Sequence, residues 1–159
     1  MRKKISTLLM ISVVILSALL IPTALAKEHI PVSGNWSWEV DDWIERQANG
    51  NIHISATELD VFSGTFEGTG IGSFKMTWHP NGFIAGSGKT VFTGSVDGHS
   101  GTCVIMWVGK TINEELWWSF KWIIISGTGE LSNLHGKGTC YGPGPSGVEM
   151  TGWIHFDPS

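Results

Sequence analysis

Two cysteines, one tyrosine and six prolines are all this chain of 159 residues has of those types, and charged side chains make up only 15% of it. So few cysteines exclude a disulfide-dense scaffold. So little charge, set against 42% hydrophobic residues, excludes a disordered acidic tail. Helical periodicity is missing as well. Past residue 27 no segment keeps apolar residues at i, i+3, i+4 and i+7 over three turns, and glycine interrupts the chain too often for long helices. The longest apolar run, Leu8 to Ile21, holds 14 residues, whereas a membrane span needs about 20. Basic residues are scarce too: three of the ten lie in Arg2, Lys3 and Lys4, so the rest of the chain sets seven bases against fourteen acids, a net of −7. A surface of that sign with no basic stripe repels a phosphate backbone, which excludes nucleic acid as a partner.

The amino-terminal stretch reads as a secretory leader. A basic start is followed by the apolar run and by Ala24-Leu25-Ala26, a small-x-small cleavage signal. The expectation is cleavage after Ala26, no membrane insertion afterwards, and a secreted or extracytoplasmic protein of residues 27–159. The residue directly after the cleavage point is Lys27 rather than a cysteine, which argues against a lipid anchor. A chain of that length fills one core, so a single domain is expected.

What is abundant is glycine, 21 residues, together with nine tryptophans and seven phenylalanines, arranged as strand, glycine-rich turn, strand. Asn49-Gly50 is a strong two-residue hairpin signal. It joins Asn35–Ala48 to Asn51–Val61 in a register where paired numbers sum to 99, so that Trp38 faces Val61, Val40 faces Leu59 and Asp41 faces Glu58. The apolar face switches near Asp41-Asp42 and Thr57-Glu58, which predicts a bulge or barrel corner. Further strands are read at Ser63–Thr69, Ser73–His79, Phe83–Val96, Gly101–Val108, Glu115–Ser126, Gly136–Tyr141 and Val148–Phe156, with the Gly68, Gly70, Gly72 stretch as a link. About eight antiparallel strands with turn-sized links predict a closed up-and-down barrel, which also removes exposed edges. A two-sheet sandwich is the alternative.

Several motifs resemble chemistry without meeting its spacing. Gly86-Ser87-Gly88-Lys89-Thr90 lacks the leading glycine of a phosphate loop, since position 83 is Phe. Gly68-Thr69-Gly70 lacks the third glycine of a dinucleotide loop, and Gly98-His99-Ser100-Gly101-Thr102 ends in Thr rather than in the glycine of a nucleophile elbow. The six histidines show no metal-ligand spacing. No metal and no cofactor is assigned. An oxidising compartment favours a bond between Cys103 and Cys140, but in a meander their strands would be next-nearest neighbours, about 10 Å apart, beyond the limit of about 7 Å. A disulfide and two buried thiols both remain open.

Ile125-Ser126-Gly127-Thr128-Gly129, with Gly136-x-Gly138, Phe62 to Gly68, Val96 to Gly101 and the closing Ile154-His155-Phe156-Asp157-Pro158, resembles a family of small exported proteins of unknown function. That family is grouped with the allene oxide cyclase-like barrels and, more distantly, the dirigent proteins. The resemblance implies a barrel whose cavity holds a small hydrophobic molecule, with cyclisation or coupling steered without a cofactor. Its motifs are turn and packing glycines, and no catalytic side chain carries over.

Candidate site residues follow from the strand faces. Trp36, Trp38, Trp118, Phe120 and Trp122 are expected to line a cavity. Glu58, Glu67 and Asp41 are the candidate acids, because a carboxyl buried beside another retains a proton near neutral pH and can act as a general acid. His53 and His155 meet only if the first and last strands close the barrel. Trp117 and Trp153, on the opposite faces of their strands, would form a surface aromatic patch. The function expected is binding of a small apolar or aromatic molecule, extending to cofactor-free isomerisation or cyclisation. The alternative is a surface module that self-associates as a homo-oligomer or grips carbohydrate.

Overall fold

The computed structural model describes residues 28–111 and 117–158. The leader expected over residues 1–26 lies outside them. Eight antiparallel strands follow one another around a closed barrel: β1 (Ile30–Ala48), β2 (Asn51–Gly64), β3 (Phe66–Trp78), β4 (Ile84–Val96), β5 (His99–Thr111), β6 (Trp118–Gly129), β7 (Leu134–Gly142) and β8 (Val148–Phe156). This is the up-and-down barrel rather than the sandwich. Among the described residues no helix is long and apolar enough to cross a membrane.

Local sequence explains the meander. Asn49 and Gly50 both take positive φ, 52° and 77°, and Asp97 and Gly98 do the same at 50° and 83°. Those are the conformations that a tight two-residue turn needs to match strand twist. One expected link is absent. Gly68, Gly70 and Gly72 lie inside β3, which runs unbroken from Phe66 to Trp78, while Ser63 and Gly64 end β2. The strand read at Ser63–Thr69 therefore spans the β2–β3 turn, and its latter part joins Ser73–Trp78 in one long strand. The strand read at Glu115–Ser126 starts at Trp118 and continues to Gly129, with Glu115 outside the described residues.

The first hairpin carries the main correction. Near the turn its register sums to 99, as in Trp43↔Ala56 and Asp42↔Thr57. Beyond a bulge at Asp41 it slips by one, giving Val40↔Glu58, Trp38↔Asp60 and Trp36↔Phe62. The expected switch of face therefore falls on β1 alone, where Val40 and Trp43 both line the interior. Strand β2 keeps one alternation from Ile54 to Phe62, and the expected partners beyond the bulge are displaced by one. Leu59 and Val61 point outward at 49% and 54% exposure, while Glu58 and Asp60 point inward at 3% and 1%. A bulge adds one residue to one strand, and one residue inverts every face downstream of it.

Ring closure is uneven. β1 pairs with β2 from Gly34 to Ala48 but with β8 only from Ile30 to Trp36. The far half of the first hairpin thus rises above the ring as one side of an open mouth, touched from across by a hydrogen bond from Trp38 N to Pro145 O of 3.1 Å. The opposite end is filled. There Phe62 and Phe66 meet Phe92 edge-on at 5.3 and 5.6 Å, Phe66 meets Trp122 at 5.8 Å, and Leu131 is fully buried in the β6–β7 turn.

Candidate functional site

β2 alternates inward and outward, and its inward positions are Ile54, Ala56, Glu58, Asp60 and Phe62. Two carboxyls therefore occupy places where the pattern otherwise sets apolar side chains. Room for them comes from β3. A methyl group on Gly72 would sit 2.6 Å from Glu58 Cγ, 2.8 Å from Glu58 Oε1 and 2.9 Å from Asp60 Oδ2, and one on Gly70 would lie 3.3 Å from Asp60 Oδ2. The run that resembled a loop is a notch in the barrel wall holding an acid pair.

The two carboxyls are treated differently. The Trp36 indole N–H donates to Asp60 Oδ1 at 2.7 Å, and the Thr90 hydroxyl donates to Asp60 Oδ2 at 2.8 Å. Burial still raises the Asp60 pKa, with these two bonds opposing the rise. Glu58 has no such pair of donors. Burial, and after it the charge of Asp60, pushes its pKa up to about 8, with the nearby Trp107 indole pulling slightly the other way. The hydrogen-bonded Asp60 thus ionises first, and Glu58 keeps its proton at neutral pH. The Trp107 N–H lies close enough to Glu58 to favour its anion but completes no hydrogen bond, and is a buried donor without a partner.

Glu58 opens onto a cavity of about 200 Å³. Its walls are Trp36, Trp38, Val40 and Trp43 of β1, Phe74 and Met76 of β3, Trp107 of β5, Trp118 and Phe120 of β6, and Pro145 from the β7–β8 loop. Phe120 is the hub, edge-on to Trp36 at 5.2 Å and to Trp38 at 6.2 Å, and tilted against Trp107 at 5.5 Å. Among the described residues Glu58 is the only ionisable side chain on this wall.

Of the expected lining residues, the structure brings Trp36, Trp38, Trp118 and Phe120 to the cavity. Trp122 is packed below it in the filled end, its N–H donating to Thr151 O at 3.2 Å. The three candidate acids separate. Glu58 faces inward, Glu67 is exposed beside Ser95, and Asp41, expected opposite Glu58, is the exposed bulge residue. Asp60, Thr90, Phe74 and Trp107 were not expected at a site. Following the predicted bulge through to a one-residue slip would have turned Asp60 inward, but nothing in Val104–Val108 marks the Trp107 N–H as unpartnered.

Trp117 and Trp153 do not form one patch. Trp117 is tilted against Tyr141 at 5.1 Å, whereas Trp153 lies between His29, at 4.6 Å, and the Lys137 ammonium, at 5.3 Å. Their partners Tyr141 and Lys137 are four positions apart on β7. His53 and His155 remain apart although the barrel closes. His53 contacts Thr77, while His155 stacks on His135 at 5.2 Å, and both His135 and His155 lie 3.3 Å from Asp157. Among the described residues no group of three or more His, Cys, Asp or Glu could hold a metal ion.

Cys103 and Cys140 are free and buried. Across β6, Cys103 pairs with Gly127 and Cys140 with Phe120. Seven residues along a strand at about 3.3 Å each place them about 23 Å apart, so barrel stagger excludes the disulfide that the even count had left open. Burial pushes the Cys103 thiol up to about 12 and that of Cys140 higher still.

Fold and site together define a closed antiparallel barrel, filled at one end and hollow at the other, with a buried acid pair at the base of the hollow. The chain belongs to the DUF3224 family, described as a protein of unknown function, whose profile matches residues 36–144. It is similar to a crystal structure of a protein of unknown function from the same family in Shewanella oneidensis MR-1, at 16% identity and a TM-score of 0.67, over 83% of this chain and 100% of that one. At that identity the likeness speaks for the fold alone. No curated protein matches the sequence.

Proposed function

We propose that this barrel binds a small apolar or aromatic molecule in the cavity above Glu58. One observation carries the reading: an aromatic-walled hollow of about 200 Å³ with the buried carboxyl of Glu58 at its base. Ligand sites are concave, mostly apolar, and fixed by a few polar groups. A core evolved only for stability would fill that space and would not hold an acid there. Glu58, protonated near neutral pH, is also positioned as a general acid, so cofactor-free isomerisation or cyclisation of the bound molecule is the catalytic extension of this proposal. Kinship with the allene oxide cyclase-like barrels, read from the sequence motifs, and export with cleavage after Ala26 belong to the same proposal.

A second reading, self-association, is favoured by a specific feature. Leu59, Ile71 and Val91 pair in one row across β2, β3 and β4, and Met106 and Ile123 pair on β5 and β6, two positions along from Val104, the β5 partner of Val91. All five are at least 45% exposed. This aliphatic belt lacks the flat rings that stack on sugars, so it suits a second copy of the chain better than carbohydrate.

Native mass spectrometry of the protein purified from its own host tests both readings. Excess mass that disappears on denaturation supports a cavity ligand, and a dimer mass supports the belt. A monomer of bare polypeptide mass that also binds none of a panel of aromatic compounds would overturn both.

A further inference from the structure

Among the described residues the interior of the barrel is acidic and holds no basic group. Glu58 and Asp60 are buried side by side, while Lys75, Lys89, Lys110, Lys121 and Lys137 alternate onto the outer face of their strands. No described Lys, Arg or His lines the cavity. Asp60 is satisfied by Trp36 and Thr90, but its charge is not balanced. Beside it the Trp107 N–H, in a side chain more than nine-tenths buried on the cavity wall, has no acceptor in bonding geometry. The acceptor that would satisfy it is the Glu58 carboxylate. That anion is disfavoured while the cavity holds no positive group. The idle donor and the protonated acid are two halves of an arrangement that closes when a cation enters.

We infer that the cavity ligand is a compact monocation, an amine with an apolar or aromatic body, whose ammonium group meets Glu58 while its body lies against Trp38 and Phe120. This rests on the ligand-binding reading and narrows it. Trp107 then donates to the Glu58 carboxylate, and the ammonium offsets the charge of Asp60 as well. Indole rings on the walls add cation–π attraction to a desolvated ammonium. A carboxylate ligand would meet two acids without a counter-ion. A carbonyl ligand would turn its negative end toward Asp60. The balance of protons is simple: Glu58 gives up one proton to solvent as the ammonium binds. Among the described residues Asp60 is the only titratable group that faces Glu58; its other described neighbours are Val40, Gly72, Phe74 and Trp107.

The test is calorimetric titration of the full protein with four probes of similar shape: phenethylammonium, propylbenzene, phenylacetone and 3-phenylpropanoate. Phenethylammonium, which as an alkylamine stays charged below about pH 9, is expected to bind at least about tenfold tighter than propylbenzene, the low end for a close charge pair in a dry site. Its affinity should rise from pH 6 to pH 8 with a proton released on binding. Glu58→Gln should bring the ratio of amine to hydrocarbon affinity, both measured on that variant, close to one. Trp107→Phe should reduce it more mildly. Equal affinity for amine and hydrocarbon would overturn the cation and leave the cavity reading intact. A preference for phenylacetone that weakens as pH rises would overturn it in favour of Glu58 as a hydrogen-bond donor. No binding by any of the four would remove this inference together with the cavity reading on which it rests.

Discussion

Glu58 and Asp60, two residues apart on the inward face of one strand, share a notch cut by Gly70 and Gly72 but divide its hydrogen bonds unequally: Asp60 takes two donors and Glu58 is left with the approach of one indole. That inequality assigns the proton. Each member of the pair gives a separate expectation.

The first concerns stability and pH. Glu58 has a folded pKa of about 8 against 4.5 for the exposed group, so the folded state holds a proton that the unfolded chain has already lost. The stabilisation linked to Glu58 is complete below about pH 4.5 and is lost as pH rises toward 8, at up to about 1.4 kcal/mol per pH unit. Glu58→Gln should therefore lose less stability over that window than the native protein, crossing it on the alkaline side. Urea denaturation at pH 5, 6.5 and 8 measures this, and parallel curves would refute the buried proton.

The second concerns Asp60. Removing its charge with Asp60→Asn should lower the Glu58 pKa, though not to the ordinary value, because burial is the larger cause and remains. Carboxyl carbon NMR titration reads the shift directly. Thr90→Val, which keeps shape but removes one donor from a buried carboxylate, should cost about 1–3 kcal/mol. A loss below about 0.5 kcal/mol would mean that Asp60 is not held as an anion.

The third concerns the notch. Gly72→Ala places a methyl 2.6 Å from Glu58 Cγ and should destabilise by about 1–3 kcal/mol through overpacking. Pairing it with Glu58→Ala should recover much of that loss. A double-mutant cycle with no coupling would show that the glycine serves something other than the acid.

The fourth concerns the thiols. Native protein should be inert to thiol reagents, because both groups are buried and their pKa values are raised. Two equivalents should appear on unfolding without reductant. A zero count there would contradict the stagger that separates the strands.

Much of this barrel could be read from residues alone. Asn49-Gly50 and Asp97-Gly98 mark turns by local conformational demand, and the alternation in Phe74, Met76 and Trp118 to Ile124 marks strand faces. Face assignment failed beyond Asp41 because it depends on counting parity through a bulge, and a one-residue slip exchanges Leu59 and Val61 for Glu58 and Asp60. The glycines of β3 were misread for a related reason: a glycine that turns the chain and one that makes room for a neighbour look alike until the neighbour is known. The idle Trp107 N–H and the distance between the cysteines depend on closure and stagger, which belong to the ring as a whole and to none of its segments.

The uneven seam between β1 and β8 has a consequence for dynamics. Among the described residues, strand β1 beyond Trp36 pairs with β2 alone, and beyond the Trp38–Pro145 hydrogen bond nothing holds its other edge. The amides on that edge are therefore the ones that trade protons with water soonest. Deuterium uptake should run as a gradient along that single strand, slow at Val32 and fast at Ile44. The lip that admits a guest is thus the least anchored stretch of the wall, and a guest seated against Trp43 would slow exchange there before it altered any other part of the molecule.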